Sequence, residues 1–343
     1  MHFNKLKKPF FIAEISGNHH GSLKNAKKLI DQAKKYGADA VKLQTYTPDT
    51  MTLSSKKKDF LIKDGLWKGY DLWSLFDKAK TPYAWHKELF NYAKKKKILC
   101  FSTPFSEDAV DFLERLNCPL YKVSSFEMTD ISLIKKISQT KKPLIISTGM
   151  ADINEIDNAF YFAKKFGAKH IVLLYCVSNY PARESDFNLN NIKILKERYK
   201  CPVGFSDHSN SLDLAAAAVA AGAEIFEKHI YLKNIKSVDW KFSLKGIEIK
   251  KYKNILDKTF KLMGKKYFYR SSLEKKNRIF RRSIYSIQDI KKGEKFTRKN
   301  IRIVRPGYGM QPIYYFKILN KKSPVNIGKN TKLNKNILQK LKV

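Results

Sequence analysis

The sequence predicts an α/β fold, a TIM (β/α)8 barrel followed by a small β-rich C-terminal module, and three observations carry it. Eight short β-branched or apolar runs recur across residues 10–230. Amphipathic helical patterns separate most of them. The runs are apolar almost throughout instead of alternating, as strands buried on both faces of a parallel sheet are.

The first run, FFIAEIS (10–16), leads into the helical pattern LKNAKKLIDQAKKYG. The second is AVKLQTY (40–46), and PYAWHKELFNYAKKKK precedes the third, ILCFSTP (98–104). LYKVSS (120–125), PLIISTG (143–149), HIVLLYC (170–176), PVGFSDH (202–208) and AEIFEKHI (223–230) follow. LDLAAAAVAAG lies between the last two, and IEIKKYKNILDKTFKLM comes after them. Eight such units point to a barrel. A doubly wound open sheet is the alternative, but it usually has fewer strands and a glycine-rich phosphate loop after the first. Here SGNHHGS follows the first strand and lacks that spacing. Long connections at 47–81 and 177–187 interrupt the repeat, and loops of that kind tend to be functional. The expected organisation is a barrel domain at 1–262, a basic polar linker at 263–280, and a module at 281–343 with turns at Lys292-Gly293 and Pro306-Gly307. A module of ~60 residues is marginal alone and needs a surface to dock on.

Composition narrows the function classes. The chain has 343 residues, of which 43% are hydrophobic and 13% aromatic, so a large core can form and disorder is excluded as the main state. No apolar run approaches the ~20 residues of a membrane span. The opening does not read as a secretory leader, because its short apolar stretch runs into Glu14. The 4 cysteines are widely spaced without a CxxC, so a reducing cytoplasm and no disulfide framework are expected. The formal net charge of +37 raises a nucleic-acid reading. Ten of the 68 basic residues are arginine, leaving 58 lysines spread along the whole chain. Readers of base sequence favour arginine. Solvated lysine-rich helix faces are therefore expected, with no nucleic-acid and no membrane partner.

In a barrel the chemistry lies at the C-terminal ends of the strands. Polar residues gather there: Glu14, Lys42, Gln44, Ser102, Thr103, Lys122, Ser125, Glu127, Ser147, Ser178, Tyr180, Ser206, Asp207, His208, Glu227 and His229. Lys42 and Lys122 with the hydroxyls of Thr103, Ser125, Ser147, Ser178 and Ser206 suit a compact polyanion such as a phosphate ester. Any one of these hydroxyls alone reads as a helix N-cap. The set beside two lysines reads as a ligand site. His208 and His229 end adjacent strands, ~4.8 Å apart, so two imidazoles can share one divalent metal. His19 and His20 lie near the same mouth. His2, His86 and His170 are expected on the surface. Glu14 and Glu127 are placed for proton handling or hydroxyl recognition, and a salt bridge from Glu14 to Lys42 or Lys122 is the plainer reading. Asp207 is positioned to orient His208, although its side chain should alternate away from the mouth. Cys176 ends an apolar run without a base and is not read as a nucleophile.

FIAEISGNHHGSL, ADAVKLQTY, FSTPFS, YKVSSFEMTD, IISTGM, GFSDHS, FEKHI, VDWKFSL and RPGYGM occur in this order. Together they resemble the sialic acid synthase family over nearly the whole chain, and most closely its pseudaminic acid synthase branch. The C-terminal module resembles the family's SAF, or antifreeze-protein-like, domain. The resemblance implies a transferase that condenses phosphoenolpyruvate with an N-acetylated amino sugar in its aldehyde form. In this branch the sugar is 2,4-diacetamido-2,4,6-trideoxy-altrose. A nine-carbon 2-keto acid and phosphate are the products. The neuraminate and legionaminate synthases are the related alternatives.

Matched by motif, Lys42, Thr103, Lys122, Ser125, Ser147, Ser178 and Ser206 would hold phosphoenolpyruvate. His208 and His229 would ligate a divalent metal, Mn2+ or Mg2+, that polarises the aldehyde. Glu127, Tyr180 and Asp239, with Gln44 beside them, would face the sugar. Glu14 is the candidate for activating water or shuttling protons, with a metal-bound water as the rival, and with Lys122 and His208 it forms the expected catalytic set. Arg305 would cover the barrel of a partner subunit, which implies a domain-swapped homodimer. The chain departs from the family pattern at His20, where asparagine is usual, and at Ser178, where neuraminate enzymes often carry asparagine.

Overall fold

The structure, a computed structural model, describes residue 3, residues 6–265 and residues 267–341; His2 lies outside the described residues. It divides into two compact units, Met1–Gly264 and Lys265–Val343. In the first, eight parallel strands pair in sequence order: β1 (Phe10–Glu14), β2 (Ala40–Thr45), β3 (Leu99–Pro104), β4 (Tyr121–Val123), β5 (Leu144–Ser147), β6 (Ile171–Cys176), β7 (Val203–Asp207) and β8 (Ile225–Tyr231). β1 also pairs with β8, which closes the barrel and excludes the open-sheet alternative. A short strand, β9 (Leu244–Lys245), extends the end of β8.

Helices fill the connections: α1 (Leu23–Lys35), α2 (Pro48–Met51), α3 (Leu72–Ala79), α4 (Tyr83–Lys95), α5 (Glu107–Arg115), α6 (Ile131–Gln139), α7 (Ile153–Lys165), α8 (Asn190–Tyr199), α9 (Asp213–Ala220) and α10 (Ile247–Met263). Their starts are written in the sequence. Ser22, Asp71, Ser106, Asp130 and Asp152 each accept a backbone N–H from the first turn of the helix that follows. All five residues of β1 and all seven of β8 are buried. That burial is why these strands lack alternation: one face packs inside the barrel, the other against helices. In β7, Gly204 is required by close approach, since a Cβ there would lie 2.2 Å from the Ile225 carbonyl oxygen.

His86 corrects an expectation. It is fully buried, not on the surface. Its Nε2 lies 2.8 Å from Thr45 Oγ1, and its Nδ1 lies 3.1 Å from the Pro82 carbonyl oxygen. The reason is helical phase: His86, Leu89 and Ala93 form the buried stripe of α4. The insertion at 47–81 carries α2, a 3-10 turn at Lys58–Phe60 and α3, and is pinned by a bridge between Leu61 and Asp71. Among the described residues no helix is long and apolar enough to cross a membrane.

The second unit contains α11 (Ser272–Lys276), within the segment expected as a linker, and an antiparallel pair, β10 (Ser283–Ser286) and β11 (Ile301–Val304). α12 (Tyr315–Ile318) and α13 (Lys335–Leu341) complete it. Ile284, Phe296, Met310, Leu333 and Ile337 are among the side chains of its own small core.

Candidate active site

The carboxyl ends of the strands open into a cavity of about 440 Å³. Two buried lysines stand at its floor. Lys42 pairs with Glu14 and lies 3.9 Å from Glu227, while Lys122 Nζ donates to Glu227 at 2.5 Å. Ser206 Oγ donates to the same Glu227 carboxylate at 3.2 Å, and Lys42 Nζ lies 3.4 Å from Thr103 Oγ1. Burial works against each charge here, and the neighbours decide the outcome. Lys42 is raised net by Glu14 and Glu227. Glu227 is held low by Lys122 and Lys42. Lys122 is lowered by burial and by the charge of Lys42, despite Glu227. Glu14 is raised by burial against the pull of Lys42. Two ammoniums thus face two carboxylates, and the floor carries little net charge of its own.

The hydroxyls surround this floor. Ser147 Oγ and Ser178 Oγ are buried without a partner in hydrogen-bonding geometry among the described residues. Ser125 Oγ accepts from the Gly149 N–H at 3.0 Å and lies 3.1 Å from Cys176 Sγ. A Cβ at Gly149 would meet Ser178 Oγ, Cys176 Sγ and Ser125 Oγ, so glycine keeps this corner open. Burial pushes the Cys176 thiol up, in keeping with an inert residue.

His208 and His229 face each other on the adjoining wall, with ring centroids 5.7 Å apart. His208 Nδ1 lies 2.9 Å from the Val177 carbonyl, which fixes it as the protonated nitrogen and leaves Nε2 with a lone pair. His229 Nδ1 is buried without a hydrogen bond among the described residues, and Asp239 Oδ2 stands 3.5 Å from it. Burial lowers His208 to about 4 and His229 well below its usual value, so both rings are neutral donors at pH 7. Two neutral imidazoles with free lone pairs fit a divalent cation, beside Asp239, whose carboxyl is pushed up to about 8 by burial and by Glu14. No group of three or more His, Cys, Asp or Glu suited to a metal occurs among the described residues, so two histidines with open positions is the arrangement available.

The remaining wall is apolar and aromatic. Tyr46, Ile62, Trp67, Leu75, Phe76, Phe105, Phe126 and Phe242 line it. Trp67 packs on Tyr180 at 5.4 Å and donates its indole N–H to the Val238 carbonyl at 3.2 Å. Phe242 lies against His229 at 4.8 Å.

Of the residues singled out from sequence, Lys42, Gln44, Lys122, Ser125, Glu127, Ser147, Tyr180, Ser206, His208, His229 and Asp239 line this one cavity. Glu14 and Thr103 stand behind Lys42 and do not line it. Ser178 lines a neighbouring pocket of about 500 Å³ between the ends of β5 and β6. Arg305 belongs to the second unit and is exposed after β11. Asp207 does turn away from the cavity and pairs with Lys228. Glu127 accepts from the Ser124 hydroxyl and is raised mainly by burial. Glu227 was not assigned a role from the sequence, yet it joins both lysines. The signal was present: Glu227 and His229 are two apart on one strand and so share a face. Trp67 and Phe242 had no such signal, since their positions depend on how the connections fold.

The NeuB family pattern matches residues 29–267, and the SAF domain pattern matches residues 281–336. The chain is 44% identical over 326 residues to the pseudaminic acid synthase of Campylobacter jejuni, covering 95% of each. It is 40% identical over 331 residues to the pseudaminic acid synthase of Helicobacter pylori, covering 96% of this chain and 97% of that one. Among solved structures it is similar to the N-acetylneuraminic acid synthetase of Leptospira borgpetersenii in complex with citrate, with a TM-score of 0.72 and 30% identity, over 79% of this chain and 90% of that one. The protein belongs to the NeuB family and carries a SAF domain after its synthase domain.

Proposed function

We propose that this protein is a pseudaminic acid synthase. It joins phosphoenolpyruvate to 2,4-diacetamido-2,4,6-trideoxy-altrose with water, releasing phosphate. One observation carries the reading: Lys42 and Lys122 meet across Glu227 at the floor of a single cavity rimmed by the hydroxyls of Ser125, Ser147 and Ser206. The ammoniums and hydroxyls grip the phosphate and carboxylate of phosphoenolpyruvate. Ser147, buried without a partner among the described residues, gains an acceptor when that anion enters.

The methylene carbon of the enol ester attacks the sugar aldehyde, water adds at the phosphate-bearing carbon, and the tetrahedral product expels phosphate by C–O cleavage. His208 and His229 would hold the divalent metal, Mn2+ or Mg2+, whose chemistry is Lewis-acid polarisation of the aldehyde. The balanced floor supports that assignment: Glu14 and Glu227 offset both ammoniums, so a trianionic ester needs further positive charge. Glu14 fixes Lys42 and serves as the internal base for proton handling. Lys122, lowered by burial, is suited to give a proton to the departing phosphate. Gln44, Glu127, Tyr180 and Asp239 face the sugar. The aromatic wall suits a 6-deoxy sugar bearing two acetamido methyls better than hydroxyl-rich N-acetylmannosamine. That preference favours the pseudaminate reading over the neuraminate one.

Arg305 and the exposed Ile313 and Phe316 of the SAF unit are assigned to the surface that meets a second copy, giving a domain-swapped homodimer. The four free cysteines accord with a cytoplasmic setting. The test is phosphate release from phosphoenolpyruvate with a panel of mono- and diacetamido sugars, before and after stripping the metal. Release with the altrose sugar, lost on chelation and restored by Mn2+ or Mg2+, is expected. No release with any amino sugar rejects the synthase reading, and release untouched by complete metal removal rejects the two-histidine site.

A further inference from the structure

A second buried ionic cluster lies behind the cavity and has no part in the chemistry above. Asp207 and Lys228 are neighbours across the β7–β8 ladder, each immediately before a cavity histidine, and their side chains point outward while the imidazoles point inward. Lys228 Nζ lies 3.2 Å from Asp207 Oδ1 and also donates to the Ser209 carbonyl. Asp207 Oδ1 accepts from Ser209 N at 2.8 Å and from Ser209 Oγ at 2.7 Å. All three residues are at most 2% exposed.

The arrangement brackets His208. β7 ends at Asp207, and beyond it His208 is held from one side only, its carbonyl accepting from the Ala182 N–H at 3.0 Å and its Nδ1 lying 2.9 Å from the Val177 carbonyl. The residues before and after His208 are both tied to Lys228, and Lys228 is bonded in sequence to His229. An apolar pair would fill the same space without the desolvation cost of two charges. What charge adds is direction and a fixed reach.

We propose that the Asp207–Lys228 pair is a positioning device that holds His208 and His229 at the separation one divalent cation requires. The proposal rests on the two-histidine metal reading. Neither residue touches substrate or metal; both act through the histidines.

The probe is Mn2+ alone, titrated into the full-length protein and followed by loss of the free-ion paramagnetic resonance signal. Phosphoenolpyruvate affinity is measured separately by intrinsic tryptophan fluorescence. In the variant Asp207→Leu/Lys228→Met, Mn2+ affinity should fall about 10- to 100-fold, the usual effect of removing an outer-shell partner. Phosphoenolpyruvate affinity should stay within about two-fold, since Lys42 and Lys122 stand on β2 and β4, and the floor residues Ser206 and Glu227 face inward, on the side of their strands opposite Asp207 and Lys228. A folded double variant with wild-type Mn2+ affinity overturns the proposal, and so does a parallel loss of both affinities, which marks general damage. If the double variant does not fold, Asp207→Glu keeps the charge and lengthens one arm. It should weaken Mn2+ several-fold, and unchanged affinity there overturns the proposal equally. Wild-type protein that binds no Mn2+ rejects the metal reading itself and this inference with it, whereas binding by the wild type and equally by the variants rejects this inference alone.

Discussion

The cavity has two halves built by different means. The floor, with Lys42, Lys122, Ser147, Ser206 and Glu227, sits on barrel strands or at their ends, where the ladder fixes every side chain. The opposite wall, with Ile62, Trp67, Leu75 and Phe76, comes from the insertion at 47–81, which hangs outside the ladder. The first half grips charge through rigid, fully buried ion pairs. The second offers shape and apolar surface. On the proposed function, anion recognition is bound to the fold, while sugar choice rests on a segment outside the strand ladder.

Four measurements break or sharpen that contrast. Lys122→Ala should lower phosphate release by roughly 10³-fold or more while the far-ultraviolet dichroism stays native, because it removes a charge aimed at the reacting ester. A fully active variant would dissolve the assignment of the floor. Trp67→Ala should raise the KM for sugar about 10-fold and leave that for phosphoenolpyruvate unchanged, since the indole packs on Tyr180 and not on the lysines. Equal changes in both constants would show that the halves are not separable. Ser147→Ala should raise the KM for phosphoenolpyruvate about 5-fold, the ~1 kcal/mol net worth of one ordinary hydrogen bond. No change would remove Ser147 from the anion seat.

The smallest effect falls on stability, where the insertion joins the barrel. Burial lowers His86 to about 4 from an unfolded value near 6.5. Between those values the unfolded chain binds a proton that the folded one refuses, so stability falls as pH drops from about 6.5 toward 4. Thermal melts should show a lower midpoint at pH 5 than at pH 7, and His86→Gln should flatten part of that slope. An identical slope in the variant would remove His86 as a contributor.

The strand half was legible in sequence for a physical reason. Polar residues such as Lys42 and Lys122 inside otherwise apolar runs have nowhere to go but the barrel mouth. Strand periodicity then assigns them a face, and it turned Asp207 outward as expected. The same rule places Glu227 at the mouth beside His229, while its link to both lysines depends on how the barrel closes. His86 departs from the surface expectation because its place on the buried stripe of α4 outweighs its polarity. Trp67 and Phe242 were out of reach, since no periodicity governs where an irregular connection folds back. Ser178, expected among the anion-binding hydroxyls from its place at a strand end, opens on the neighbouring pocket, a distinction that depends on how the turn after β6 curves.

Closure of the barrel has one more effect. Glu14 on β1 stands in register with Lys42 on β2 and with His229 on β8, so the reaction centre straddles the seam where the first and last staves meet. On the proposed function, β8 serves both, since it carries Glu227 of the floor and His229 of the cation seat. On that reading, a stave added last in sequence completes a site whose other parts stand on the earlier ones, so the closing seam carries function as well as shape.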